Sequence, residues 1–123
     1  MKVFLILGAL NALLAVALGA FGAHGLEGKI SERLLETYKT GVQYHMMHAL
    51  GLVLIALIAD RLTGTNLIHW AGWIMFIGIV LFSGSLYVLS MTNISTLGAI
   101  TPLGGVAFIT AWLLVVIAAV KVL

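Results

Sequence analysis

Four long apolar runs dominate this chain, at residues 3–23, 41–59, 69–89 and 102–120. A hydrocarbon layer about 30 Å thick takes roughly 20 apolar residues to cross as helix. Inside lipid every backbone N–H and C=O needs a partner, which excludes open strands and makes each run a helix. Composition agrees: 63% of residues are hydrophobic and 8% charged, where soluble domains carry about 25% charged residues. A soluble fold with so few polar groups could not cover its surface. The predicted fold class is therefore all-α: a polytopic, left-handed-type four-transmembrane-helix bundle, one domain over residues 1–123. The first run follows Lys2 as a secretory signal would, but it outlasts the about 7–15 apolar residues of a signal core and reads as a span.

The connectors differ in character. Residues 24–40 hold most of the charge: Glu27, Lys29, Glu32, Arg33, Glu36 and Lys39. Ser31 suits a helix cap, with Glu32 favourably placed in the first turn. Ile30, Leu34, Leu35 and Tyr38 recur at helical spacing. Residues 31–40 are thus expected to form a short amphipathic helix at the membrane surface that runs on into the second span. Residues 61–66 form a polar turn. Residues 90–100 are uncharged, and Thr101 and Pro102 suit the cap and first turn of the last helix.

An even number of spans puts both termini on one side, with Lys2, Arg61 and Lys121. The other side has Lys29, Arg33 and Lys39. The count ties, so the positive-inside rule does not decide. Cytoplasmic termini are the expectation.

Lipid is as apolar as leucine, so hydrophobicity does not press spans together, whereas close packing of small residues does. Gly8, Ala12, Ala15, Gly19 and Gly22 form one narrow stripe along the first span. The stripe serves either packing within the monomer, the preferred reading, or a dimer interface. Trp70 and Trp73 suit the headgroup level at the start of the third span. Trp112, about mid-span, is expected to pack against another helix.

The polar side chains of the spans gather at one end. His24 closes span one. Tyr44, His45 and His48 open span two. Ser83, Ser85 and Tyr87 lie near the end of span three, and Thr101 opens span four. Up-and-down topology places all of them in the leaflet that faces the long connector. Asn11 and His69 fall outside the group. On a helical wheel Gly41, Tyr44, His45, His48 and Gly51 share an arc of roughly 140°. Such groups usually face the bundle interior and bond across helices.

Several uses fit this pattern. The first is a hydrogen-bonded layer that sets helix register. The second is a pocket for a small ligand or lipid headgroup. The third is a metal site using His24, His45 and His48, for which no Cys or buried carboxylate offers support. Catalysis is the fourth: His48 could act as base for Ser83, but no third group to orient it is evident. No Asp or Glu lies well inside any span. Proton-coupled carriers usually need one, and the small multidrug-resistance exporters, similar in size, rely on an acidic residue within the first span, whereas the only polar residue inside that span here is Asn11. That family is rejected.

Four motifs carry a resemblance over essentially the whole chain and in order: Gly19-Ala-Phe-Gly-Ala-His-Gly-Leu26; Tyr38-Lys-Thr-Gly-Val-Gln-Tyr44 followed by His48-Ala-Leu50; Leu81-Phe-Ser-Gly-Ser-Leu-Tyr87; and Ile100-Thr-Pro-Leu-Gly-Gly105. They resemble the family catalogued as domain of unknown function 423, small four-helix bacterial inner-membrane proteins with eukaryotic relatives. The resemblance implies that fold and a multi-pass place in the cell (inner) membrane, and no established substrate, reaction or partner. Its matched positions are His24, Tyr44, His48, Ser83, Tyr87 and Pro102. His45 departs from the pattern, where Gln is expected, which weakens the metal reading.

The expected function is that of a non-enzymatic membrane component, structural, lipid-interacting or accessory. Its polar layer of His24, Tyr44, His48, Ser83 and Tyr87 would bond internally or to a lipid headgroup. The alternatives are a component of a small-solute carrier or channel and, behind it, a histidine-based metal-binding protein. No cofactor is expected. The expected partners are membrane lipid and further copies of the chain. Nucleic acid is not among them, because the basic residues form no patch.

Overall fold

The computed structural model describes residues 2–123. It consists of four helices: α1 (Lys2–Leu26), α2 (Glu32–Leu62), α3 (Leu67–Thr92) and α4 (Ser95–Val122), each long and apolar enough to cross a membrane. No strand occurs among the described residues.

The segment 31–40 is the opening of α2 itself, with no break before the span. Ser31 caps it, its Oγ accepting from the Leu34 N–H at 3.2 Å, and Glu32 lies in the first turn. Leu34 and Tyr38 are buried. At 1.5 Å per residue the 31 residues of α2 extend about 46 Å, well beyond the hydrocarbon. Positions counted from Glu32 are therefore deeper than positions counted from Gly41.

The ends are set by local chemistry. Gly28 turns the chain after α1 at φ 80°. Asn93 closes α3 in the left-handed region at φ 56°, its N–H on the Leu89 carbonyl at 2.7 Å. Short polar Asn tolerates that conformation better than most residues with a side chain. Thr101 does not cap the last helix as expected. It is the first residue of the α-helical part of α4, and its hydroxyl lies 2.6 Å from that of Ser85 on α3.

Two helices widen locally into a π-turn, at Leu18–Gly22 of α1 and Ile79–Ser83 of α3. In α1 the Leu18 carbonyl accepts from the Ala23 N–H and also from the Tyr38 hydroxyl at 2.6 Å. Gly22 leaves room for that hydroxyl, since a Cβ there would collide with it. In α3 the widened turn meets α4 at Gly104, where a Cβ would strike the Phe82 backbone.

The α1 stripe packs within the chain. A Cβ on Gly8 would lie 2.7 Å from Val53 Cγ2 and 2.9 Å from the Ala49 carbonyl, and one on Gly19 would lie 2.9 Å from Val42 Cγ1. Ala15 is buried and Ala12 half-buried. Leu52, Ile55, Met75, Phe108 and Ala111 fill the centre between α2, α3 and α4, with Phe4 closing it from α1. Leu13, Leu57, Ile109 and Val120 point outward and are exposed. This apolar exterior suits lipid as the surrounding solvent.

Candidate functional site: a polar seam and an aromatic groove

Two polar constructions share the membrane interior. The first is a seam across three helices. His45 of α2 places Nδ1 2.8 Å from the Tyr87 hydroxyl of α3 and Nε2 2.9 Å from Asn11 Oδ1 of α1. The Asn11 Nδ2 donates to the Leu7 carbonyl at 2.8 Å. That bond orients the amide and makes Oδ1 the acceptor for His45, so Nε2 carries the proton and Nδ1 accepts from Tyr87. With a neutral imidazole the seam runs in one direction, from the Tyr87 hydroxyl through His45 to Asn11 Oδ1. Gly41 lets it close, because a Cβ there would stand 3.0 Å from the Tyr87 ring. Beside it the Ser83 hydroxyl donates to the Gly41 carbonyl at 2.8 Å.

Asn11 was not expected in this company. Its depth agrees with that of His45 once α2 is counted from Glu32: each lies about 20 Å below the connector end of its helix. Asn11 also lies on the same face as Gly8 and Ala15, the face applied to α2. That spacing was the available signal. Outside the seam, Tyr38 stands at helical spacing from Leu34 and Leu35, which concealed the bond of its hydroxyl to the Leu18 carbonyl.

The second construction lies between α2 and α4. His48 stacks on Phe108 with ring centroids 3.5 Å apart and planes 5° from parallel. Its Nδ1 bonds the Tyr44 carbonyl at 2.8 Å and its Nε2 accepts from the Trp112 indole at 3.0 Å. Trp112 thus packs on a neighbouring helix, as expected. Tyr44, His48, Phe82, Phe108 and Trp112 line a groove of about 390 Å³, with Gly105 on α4. Tyr44 is half-buried, and its hydroxyl meets no partner among the described residues. The groove lies within the size range of small-molecule sites, about 300–1,000 Å³, and has their mainly apolar lining.

The residues singled out from sequence therefore divide. Tyr87 belongs to the seam and Ser83 adjoins it. Tyr44 and His48 belong to the groove. His24 joins neither: it is exposed and lines a separate cavity of about 210 Å³ with Glu27, Lys39, Gly19, Ala23 and Leu35. His24, His45 and His48 are not brought together. All four ring nitrogens of His45 and His48 are engaged in bonds within the protein. The Ser83 hydroxyl bonds backbone, so no base–nucleophile pair with His48 is formed. No buried side-chain nitrogen or oxygen among the described residues lacks a partner.

The family described as "Protein of unknown function (DUF423)" matches residues 18–105. The chain belongs to that family. The matched stretch holds Tyr44, His45, His48, Ser83 and Tyr87, and leaves Asn11, Phe108 and Trp112 outside. Similar relatives extend over the full length. The UPF0382 membrane protein YwdK of Bacillus subtilis is 69% identical over 123 residues, all of both chains. UPF0382 membrane proteins of Staphylococcus epidermidis and Staphylococcus saprophyticus are 57% and 54% identical, covering at least 98% of each chain. No solved structure matches the chain significantly. Four apolar helices and relatives named membrane proteins make this DUF423 member a multi-pass membrane protein of a family without an assigned activity.

Proposed function

We propose that this protein is a non-enzymatic membrane component that holds lipid at its connector-facing surface, in the cell membrane, with both termini in the cytoplasm. The observation that carries the reading is the cavity at His24, Glu27 and Lys39, where side chains able to carry either charge share one lining with Ala23 and Leu35. Such a surface suits a zwitterionic aminophospholipid, its phosphate towards Lys39 and His24 and its ammonium towards Glu27. The seam is then architecture. Interhelical bonds of this kind contribute about 0.6–2 kcal/mol each. A solute pathway is the weaker reading, because Leu52, Ile55 and Met75 fill the bundle centre.

Native mass spectrometry from mild detergent tests the proposal. Retention of one aminophospholipid per chain is expected, with loss in a Glu27→Gln, Lys39→Gln variant. Equal retention by both proteins refutes it. The same spectrum reads copy number, and more than one chain per particle is the expected homo-oligomer. Reporter fusions at each terminus check the cytoplasmic placement.

A further inference from the structure

The groove between α2 and α4 has features that packing alone does not require. Three of its lining residues carry side-chain hydrogen-bonding groups. Two of them, His48 and Trp112, are bonded to each other, and His48 also bonds the backbone. The third, the Tyr44 hydroxyl, is unengaged among the described residues, and a phenol both donates and accepts. Tyr44 lies about 18 Å along α2 from Glu32. It lies one turn inside the uncharged run that opens at Gly41. Water is scarce at that depth, and an unpaired polar group there is costly. An acyl chain would fill the volume and leave the hydroxyl unpaired.

The walls are also preorganised. The His48–Phe108 stack and the Trp112–His48 bond fix α2 against α4, and Phe82 packs 5.5 Å from Phe108. Gly105 keeps the space clear, since a Cβ built there meets nothing within 4 Å. Ring-lined space favours flat partners, which gain by stacking or edge-to-face contact.

We infer that this groove binds the head ring of a membrane-dissolved, planar, carbonyl-bearing compound of the quinone class, with the Tyr44 hydroxyl donating to a ring carbonyl. The ring enters from the bilayer and its aliphatic tail stays in lipid. The site is distinct from the headgroup cavity at His24, Glu27 and Lys39, and either can exist without the other.

Trp112 on the lining supplies the readout. In a Trp70→Phe, Trp73→Phe background reconstituted in phosphatidylcholine nanodiscs, its emission is followed while a decyl-substituted benzoquinone is added. Saturable quenching is expected. Gly105→Leu occupies the groove and should leave only the linear, collisional component. Tyr44→Phe keeps the ring and removes one hydrogen bond, so the half-saturating concentration should rise about three- to tenfold. Linear quenching in the parent protein, or equal half-saturation in the parent and Tyr44→Phe, overturns the inference. So does relief of the saturable quenching when a saturated acyl lipid is added alongside the quinone, which would make the groove an acyl-chain site.

Discussion

The seam at His45 and the groove at His48 are built from neighbouring turns of the same helix, yet one is closed and the other open. Around His45, three helices contribute Asn11, His45 and Tyr87, and each interhelical partner is met. Around His48 the imidazole is equally well bonded, but the Tyr44 hydroxyl beside it meets nothing among the described residues. The same residue types make a fastening in one place and a receptive surface in the other. The difference lies in the backbones. Gly41 brings Tyr87 on α3 against α2, whereas Gly105 leaves the approach to α4 empty.

Adjacent glycines offer the strongest way to break that comparison. Gly104→Ala drives a Cβ into the Phe82 backbone, which has no flexible end to move aside. It should lower thermal stability in detergent by about 3 kcal/mol, at or beyond the upper part of the usual overpacking range. Gly105→Ala meets open space and should be neutral or slightly stabilising, by up to about 1 kcal/mol, from its better helix propensity. Equal losses in the two variants would show that α4 does not sit against the α3 π-turn as described.

A smaller effect is expected from the seam. His45→Leu leaves Asn11 Oδ1 and the Tyr87 hydroxyl without partners in a low-dielectric interior, at a cost of about 1–3 kcal/mol. Adding Asn11→Leu should recover part of that loss. A double-mutant cycle through denaturant titration reads the coupling. Additive losses would mean that the two side chains do not share a bond.

The smallest effects separate two tyrosines. Tyr87→Phe removes the bond to His45 and should cost about 0.6–1.7 kcal/mol. Tyr44→Phe removes a hydroxyl with no protein partner and should fall within about 0.5 kcal/mol of the parent protein. A Tyr44→Phe loss as large as that of Tyr87→Phe would place the Tyr44 hydroxyl in the architecture and close the contrast between seam and groove.

Much of this was legible from residue types and spacing. The four spans follow from run length, and the Ser31 cap from its place before a charged first turn. The α1 stripe follows from small residues at helical intervals. The seam was half legible. His45 and Tyr87 carried the signal of buried polarity, but depth measured from Gly41 set them in the outer part of the leaflet and left Asn11 alone. The start of the helix at Ser31 was legible, but its charged opening, residues 32–39, reads as surface, so depth was counted from Gly41 although the helix is continuous from Glu32. The π-turns were not legible. No residue type marks them, and each answers a tertiary demand: the Tyr38 hydroxyl on Leu18 in α1, and the approach of Gly104 to Phe82 in α3.

Hydrophobicity and run length by themselves determined that this chain crosses a membrane as four helices, because the solubility of a backbone in lipid depends on local composition and local hydrogen bonding alone. Which polar groups meet was decided only by the tertiary structure. A hydrogen bond between helices needs two side chains at the same depth and on facing surfaces within about 3 Å. Glycine contacts and π-turns far apart in the chain adjust both conditions.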